Sequence, residues 1–169
     1  MKLIKPDKKY YNSFLEAVKE HKENNVTAYQ FFECDTEDIF IRMQELEDGI
    51  NLPDGWVTGT YLWMVDGDEF VGEVNIRHKL TEDLLKFGGH IGYGVRYSRQ
   101  NEGIGTKMLS LALKYAKVEL GLDKVLLTCN DDNYASIKVI ENNDGVLQDK
   151  IQNTIENYTW TTRRYWIDL

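Results

Sequence analysis

Residues 60 to 77 constrain the fold of this chain more than any other stretch. Thr60 to Val65 is rich in aromatic and β-branched residues, Asp66-Gly67-Asp68 has the composition of a hairpin turn, and Phe70 to Arg77 supplies a second strand. Before this hairpin the apolar residues recur with a helical period. Residues 9–22 carry Tyr10, Phe14 and Val18 on one face. Thr36 can cap a second helix, with Glu37 and Asp38 in its positive first turn. The apolar stripe of that helix is Ile39, Met43, Leu46 and Ile50, and Gly49 with Leu52-Pro53-Asp54-Gly55 ends it.

After the hairpin, strands and helices alternate. A segment around Thr81 to Lys86 interrupts, Gly89 to Arg96 reads as a strand, and residues 103–119 form the best-defined helix. Ile104, Met108, Leu111 and Tyr115 make one stripe of it, and Leu109, Leu113 and Ala116 another, so it packs on a sheet and is covered elsewhere. Lys124 to Cys129 reads as a central strand. Asn133 caps a helix to about Asn142, which Asn143-Asp144-Gly145 stops. Tyr158 to Ile167 belongs to a terminal hairpin, and residues 2–6 form a short first strand. The expected class is α/β (α+β), with a single mixed, mostly antiparallel sheet flanked by helices.

The 169 residues suit one domain spanning 1–169. With 20 Lys and Arg against 28 Asp and Glu, the net charge is −8, which disfavours nucleic acid and anionic membranes as partners. Cys34 and Cys129 make no CxxC pair, and His21, His78 and His90 are too scattered for a metal site. Met1 to Asp7 has no signal-peptide apolar stretch, so a cytoplasmic protein with reduced thiols is expected.

The chemistry concentrates between Gly88 and Lys117. A strand leads through Tyr97-Ser98-Arg99 into Gln100-Asn101-Glu102-Gly103-Ile104-Gly105-Thr106, which opens a helix. A glycine-bearing loop at a helix start leaves backbone N–H groups unpaired, lets a ligand approach closely, and adds partial positive charge. That is an anion cradle, typically for phosphate. The Walker pattern fails because Thr106, not Lys, follows Gly105. The dinucleotide fingerprint fails because Tyr97 and Met108 stand where it needs glycine.

The string from Gly89 to Thr106 resembles the acetyl-CoA motif of the GNAT N-acetyltransferase superfamily, Gln/Arg-x-x-Gly-x-Gly/Ala, matched by Gln100, Gly103 and Gly105. Val125 to Asn130 resembles the family's fifth strand and Asn133 to Glu141 the helix after it, so the resemblance covers nearly the whole chain. It implies acetyl-CoA as co-substrate and no metal. The backbone amides of Gln100, Asn101, Glu102, Gly103, Ile104, Gly105 and Thr106 would hold the pyrophosphate. Tyr93, Gly94 and Val95 would pair with the pantetheine arm, and Asn133 and Ser136 would contact the arm's far end or the nucleotide.

The implied reaction is direct attack of a primary amine, small molecule or peptide, on the thioester. A protonated amine needs a base, and a strand amide near Tyr93 or Gly94 would stabilise the oxyanion. Many family members place a Glu as base just before the Ile-Gly-Tyr-like stretch. Here that position is His90, an imidazole suited to neutral pH, with Glu73 on the preceding strand as second candidate. The Tyr that often protonates the leaving thiolate, seven residues beyond the Asn, is replaced by Ile140, so the general acid is unassigned.

Duller roles stand beside these. Gly103 and Gly105 could serve packing, His90 could be a hydrogen-bonded strand residue, Glu73 could face water, and Tyr93 and Cys129 could be core. Eight carboxylates (Glu33, Asp35, Glu37, Asp38, Glu45, Glu47, Asp48, Asp54) face one base, Arg42, in residues 33–54. A solvated helix face explains them, and by resemblance the segment borders the acceptor entrance and would draw a cationic amine. The alternative to an enzyme is a non-catalytic acyl-CoA-binding or sensing module, and a homodimer is left open.

Overall fold

The computed structural model describes residues 1–33 and 38–169. Its strands are β1 (Lys2–Ile4), β2 (Gly59–Asp66), β3 (Glu69–Arg77), β4 (Ile91–Val95), β5 (Lys124–Asn130), β6 (Val146–Ile155) and β7 (Tyr158–Asp168). The helices are α1 (Tyr11–Glu23), α2 (Ile39–Asp48), α3 (Glu82–Lys86), α4 (Ile104–Val118) and α5 (Tyr134–Glu141), with one-turn 3-10 segments at Lys8–Tyr10 and Tyr97–Arg99. The mixed α/β architecture and antiparallel pairing are those expected. The strands form two hydrogen-bonded sheets rather than one, ordered β1-β2-β3-β4 and β5-β7-β6.

Helices cover both faces of the first sheet. On one side α4 buries Met108, Leu109 and Ala112 against Val74, Ile76 and Ile91. Gly72 makes room there, because a Cβ on it would come within 3.1 Å of the Met108 sulfur and 2.7 Å of the Gly94 carbonyl oxygen. On the other side α1 and α2 cover an aromatic cluster. Phe14 stacks on Trp63 at 4.8 Å, and Phe70 meets both edge-on at 5.3 Å. Ile50 departs from its expected stripe: α2 ends at Gly49, in the left-handed conformation (φ 77°), and Ile50 is left half-exposed. The cap expected at Thr36 lies outside the described residues. The side chain that caps α2 is Asp38, which accepts from Phe40 N–H at 3.0 Å.

The two sheets meet at one end and part at the other. At the closed end His90 N–H donates to Leu126 O (2.7 Å), and Leu126 N–H donates to His90 Nδ1 (2.9 Å). Gly89 lies so close to β5 that a Cβ would fall 2.4 Å from the Leu126 oxygen. Beyond this joint β4 pairs only with β3, and its other edge opens onto a cleft.

Candidate active site

Two cavities follow one another along β4 in the cleft. One, about 630 Å³, runs from the loop before α4 past Val95 to the start of α5. The other, about 620 Å³, is bounded by Gly88, Gly92, Thr128, Cys129 and Trp160. Thr27, Ala28, Tyr29, Tyr93, Asn133 and Ser136 line both, so the two meet beside Tyr93.

The first cavity ends in the anion cradle. Asn101 (φ 66°) and Gly103 (φ 74°) take left-handed conformations that turn the chain into α4. Gly103 is the N-cap but offers no capping side chain, and the first helical bond is Lys107 N–H to Gly103 O at 3.2 Å. The Gln100 amide, expected in the cradle, instead donates to Tyr97 O at 3.2 Å, closing the 3-10 turn before the loop, and among the described residues no acceptor takes the amides of residues 101–106. Those donors, at the positive end of a helix of 15 residues, fit a pyrophosphate. The glycines differ in detail. A Cβ on Gly103 would meet nothing within 4 Å, whereas one on Gly105 would sit 3.2 Å from Val139. Gly103 is open toward a ligand; Gly105 also lets α4 pack on α5.

The open edge of β4 follows from register. Arg77 N–H donates to His90 O and Arg96 N–H to Val71 O, so the β4 residues bonded to β3 are Gly92 and Gly94. The backbone groups of Ile91, Tyr93 and Val95 therefore point into the cleft. This separates the two oxyanion donors that the sequence left together: the Gly94 amide is spent on β3, and the Tyr93 amide is free. The Val95 carbonyl accepts from His21 Nε2 at 3.0 Å. Asn133 caps α5, its Oδ1 accepting from Ser136 N–H at 3.1 Å, and holds that helix end against the cleft.

The proposed bases sit in contrasting environments. His90 is buried at the sheet joint and lines neither cavity. Its Nδ1 already accepts from Leu126, so the neutral ring carries its proton on Nε2 and has no free basic nitrogen. Burial, then the nearby Arg77 charge, pushes its pKa down to about 4. The geometry thus favours the duller reading of His90.

Glu73 is fully buried on the opposite face of the sheet from α4. Its carboxylate accepts from Trp63 Nε1–H (3.1 Å), Phe32 N–H (3.0 Å) and Tyr29 O–H (3.1 Å). Burial outweighs these three donors and raises its pKa to about 7. Tyr29 connects it to the cleft. The tyrosine ring lies over Gly92 and Gly94, where Cβ atoms would come within 3.3 and 2.5 Å of it. Desolvation and the Glu73 charge hold the phenol well above its ordinary pKa, so it stays protonated.

Tyr93 projects from β4 toward α5 and donates to the Ser136 carbonyl at 3.4 Å, a long bond. Burial raises its pKa. Ile140 is fully buried, and Gly145 packs so tightly on it that a Cβ would lie 2.4 Å away. Isoleucine offers no proton donor at that position. The acidic helix takes no part in either cavity: Glu45 accepts from Arg42 and Asn51, Glu47 from Lys5 and Thr60, and Asp48 from Gln44. Two of them, Glu45 and Glu47, also pair with the cations Arg42 and Lys5.

Sequence reasoning missed Tyr29, Asn75 and Arg77. From Glu73 onward, β3 alternates Glu73, Asn75 and Arg77 with Val74 and Ile76, and a polar stripe on a strand covered on both faces was a legible signal. Tyr29 lies in an irregular loop and carried none.

Residues 11–146 match the family model described as the acetyltransferase (GNAT) domain. No curated protein sequence matches the chain. Among solved structures it is similar to RimL, a ribosomal L7/L12 α-N-protein acetyltransferase in complex with coenzyme A. That likeness has a TM-score of 0.71 at 16% identity, covering 99% of this chain and 93% of that one. It is also similar to MccE, the microcin C7 self-immunity acetyltransferase, in complex with acetyl-CoA and AMP (TM-score 0.69, 15% identity, 99% and 91% covered). A third likeness is to a mutant of the spermidine N-acetyltransferase SpeG from Vibrio cholerae (TM-score 0.64, 16% identity, 99% and 95% covered). With a family match over most of its length, on a cleft that carries the cradle and the free strand edge, the chain belongs to the GNAT acetyltransferase family.

Proposed function

We propose that this protein is an acetyl-CoA-dependent N-acetyltransferase that acetylates a primary amine by direct attack on the thioester. The observation that carries the reading is the junction of the two cavities at Tyr93, with an unpaired amide cradle at one end and, behind the shared wall residue Tyr29, a buried carboxylate. The amides of residues 101–106 would hold the pyrophosphate of acetyl-CoA, which supplies the activated acetyl group when bound. The free edge at Tyr93 and Val95 would receive the pantetheine arm.

The amine would lie in the cavity bounded by Gly92 and Thr128. Its proton passes to the Tyr29 oxygen as Tyr29 gives its own to Glu73, so the phenol is neutral before and after the transfer. A carboxyl group with a pKa of about 7 suits that acceptor role near neutrality. The Tyr93 amide, free at the open edge of β4, would donate to the oxyanion, and the Tyr93 hydroxyl, on the wall of both cavities, would protonate the departing thiolate.

The buried Ile140, where relatives often carry a tyrosine, favours a second reading: a module that binds acyl-CoA without turning it over. Calorimetric titration with acetyl-CoA, followed by a thiol assay with a panel of amines, separates the two. Binding with amine-dependent release of CoA supports the enzyme. Binding without release supports the module, and absence of binding removes both.

A further inference from the structure

Six arginines occur in this chain, and five of them rest on carboxylates. Arg42 pairs with Glu45, Arg96 with Glu20, Arg99 with Glu102, Arg163 with Asp131 and Arg164 with Asp149. Arg77 is the exception: among the described residues no carboxylate oxygen lies within 4.0 Å of it. Its Nη1 donates to the carbonyls of Gly88 and Gly89, both at 3.1 Å, and this clamps the guanidinium against the start of β4. Nε and Nη2 donate to no described residue. A half-buried guanidinium without a counter-charge is costly unless something completes it.

Arg77 borders two cavities. It lines the cavity assigned above to the amine, with Gly92 and Tyr29, and also a third cavity of about 290 Å³ beneath the segment joining α2 to β2. Asn75, one step along the same face of β3, lines that third cavity too. It is only 8% exposed, yet its side-chain amide makes no hydrogen bond to a described residue. Tyr61 and Thr81 add hydroxyls to the wall. Asp83 lies at the rim, 79% exposed and 3.9 Å from Lys86. A planar fork of free N–H donors beside a buried carboxamide is suited to a carboxylate or phosphate.

We infer that the acceptor carries an anionic group, carboxylate or phosphate, in addition to its amine, and that Arg77 and Asn75 bind this group while the amine reaches Tyr29. The inference rests on the acetyl-transfer reading and narrows its substrate from amines in general to amino acids, peptides with a free C-terminus, or aminoalkyl phosphates. It replaces the cationic acceptor expected from the sequence with a zwitterionic one.

The test uses two matched pairs of acceptors. A dipeptide is compared with its C-terminal amide, and O-phosphoethanolamine with ethanolamine. The wild-type protein should favour the anionic member of at least one pair by about tenfold or more in kcat/KM, and the favoured pair identifies the group. In Arg77→Gln the two members should converge. Asn75→Asp, which leaves the Gly88 and Gly89 clamp in place, should cut the preference by about tenfold and serves if Arg77→Gln does not fold. Calorimetry of the same compounds on CoA-loaded protein reads the subsite without turnover. Anion-selective binding that needs Arg77 but yields no acetylation would overturn the enzyme reading and keep the subsite. Equal treatment of both members in both pairs, or a preference that survives Arg77→Gln and Asn75→Asp, would overturn the inference and leave Arg77 as a clamp on β4.

Discussion

The Tyr29 hydroxyl donates to Glu73 Oε1 at 3.1 Å while the same ring covers Gly94, the residue paired with Glu73 across the β3–β4 ladder. One side chain therefore seals a carboxylate inside the protein and links it to the cleft. The seal raises the Glu73 pKa, and the link gives the raised pKa a use. Tyr29→Phe should lower kcat by about 10²–10⁴, the range for loss of general-base assistance, with acetyl-CoA affinity nearly unchanged. Steady-state kinetics with calorimetry on the same preparation would check it.

Glu73 also predicts a pH dependence of stability. Its folded pKa, about 7, lies above its ordinary value of 4.5, so between these pH values the folded chain holds a proton that the unfolded chain has lost. The protonated form's advantage is fully present below pH 4.5 and lost as pH rises through 7. The gap corresponds to about 3 kcal/mol. Denaturant unfolding at pH 5 and pH 8 should show Glu73→Gln gaining stability relative to wild type at the higher pH. A constant difference between the two proteins would contradict the buried, proton-accepting carboxyl group.

His90 should behave as a joint and not as a base. Removing its ring leaves the Leu126 N–H without an acceptor between the two sheets. His90→Ala should cost about 1–3 kcal/mol of stability, the range for an unsatisfied buried donor. The acidic limb of its rate profile should stay where wild type has it. Loss of that limb in a folded variant would return the base role to His90.

The cradle glycines should separate by mechanism. Gly103→Val should weaken acetyl-CoA binding at least tenfold, about 1.4 kcal/mol, because its side chain would enter the open space beside the cradle amides. Gly103→Asn, tolerated at positive φ, controls for backbone strain. Gly105→Val should instead destabilise the fold by driving a side chain into Val139. Calorimetry and thermal unfolding distinguish the two outcomes.

Much of this was legible in the sequence because the patterns were local. The hairpin at Asp66-Gly67-Asp68, the two stripes of α4 and the Asn133 cap depend on residues a few positions apart. The cradle at Gln100 to Thr106 was legible for the same reason, since a helix start makes an anion site from its own backbone. The proton path was not local. Tyr29 reaches Glu73 across 44 positions, and His90 meets Leu126 across 36, so neither partner could be read from spacing. The partners of Glu47 were not local either, since Lys5 and Thr60 lie far from it in sequence.

The pH dependence of kcat/KM for wild type and Glu73→Gln, measured with one amine acceptor, tests the proposed proton path most directly. The wild-type profile should fall on the acidic side with an apparent pKa near 7, as Glu73 takes up the proton it must otherwise accept from the amine. Glu73→Gln should lose about 10²–10⁴ in rate and the part of that limb that the amine itself does not set. A Glu73→Gln protein that binds acetyl-CoA normally and keeps the wild-type rate and profile would contradict the account.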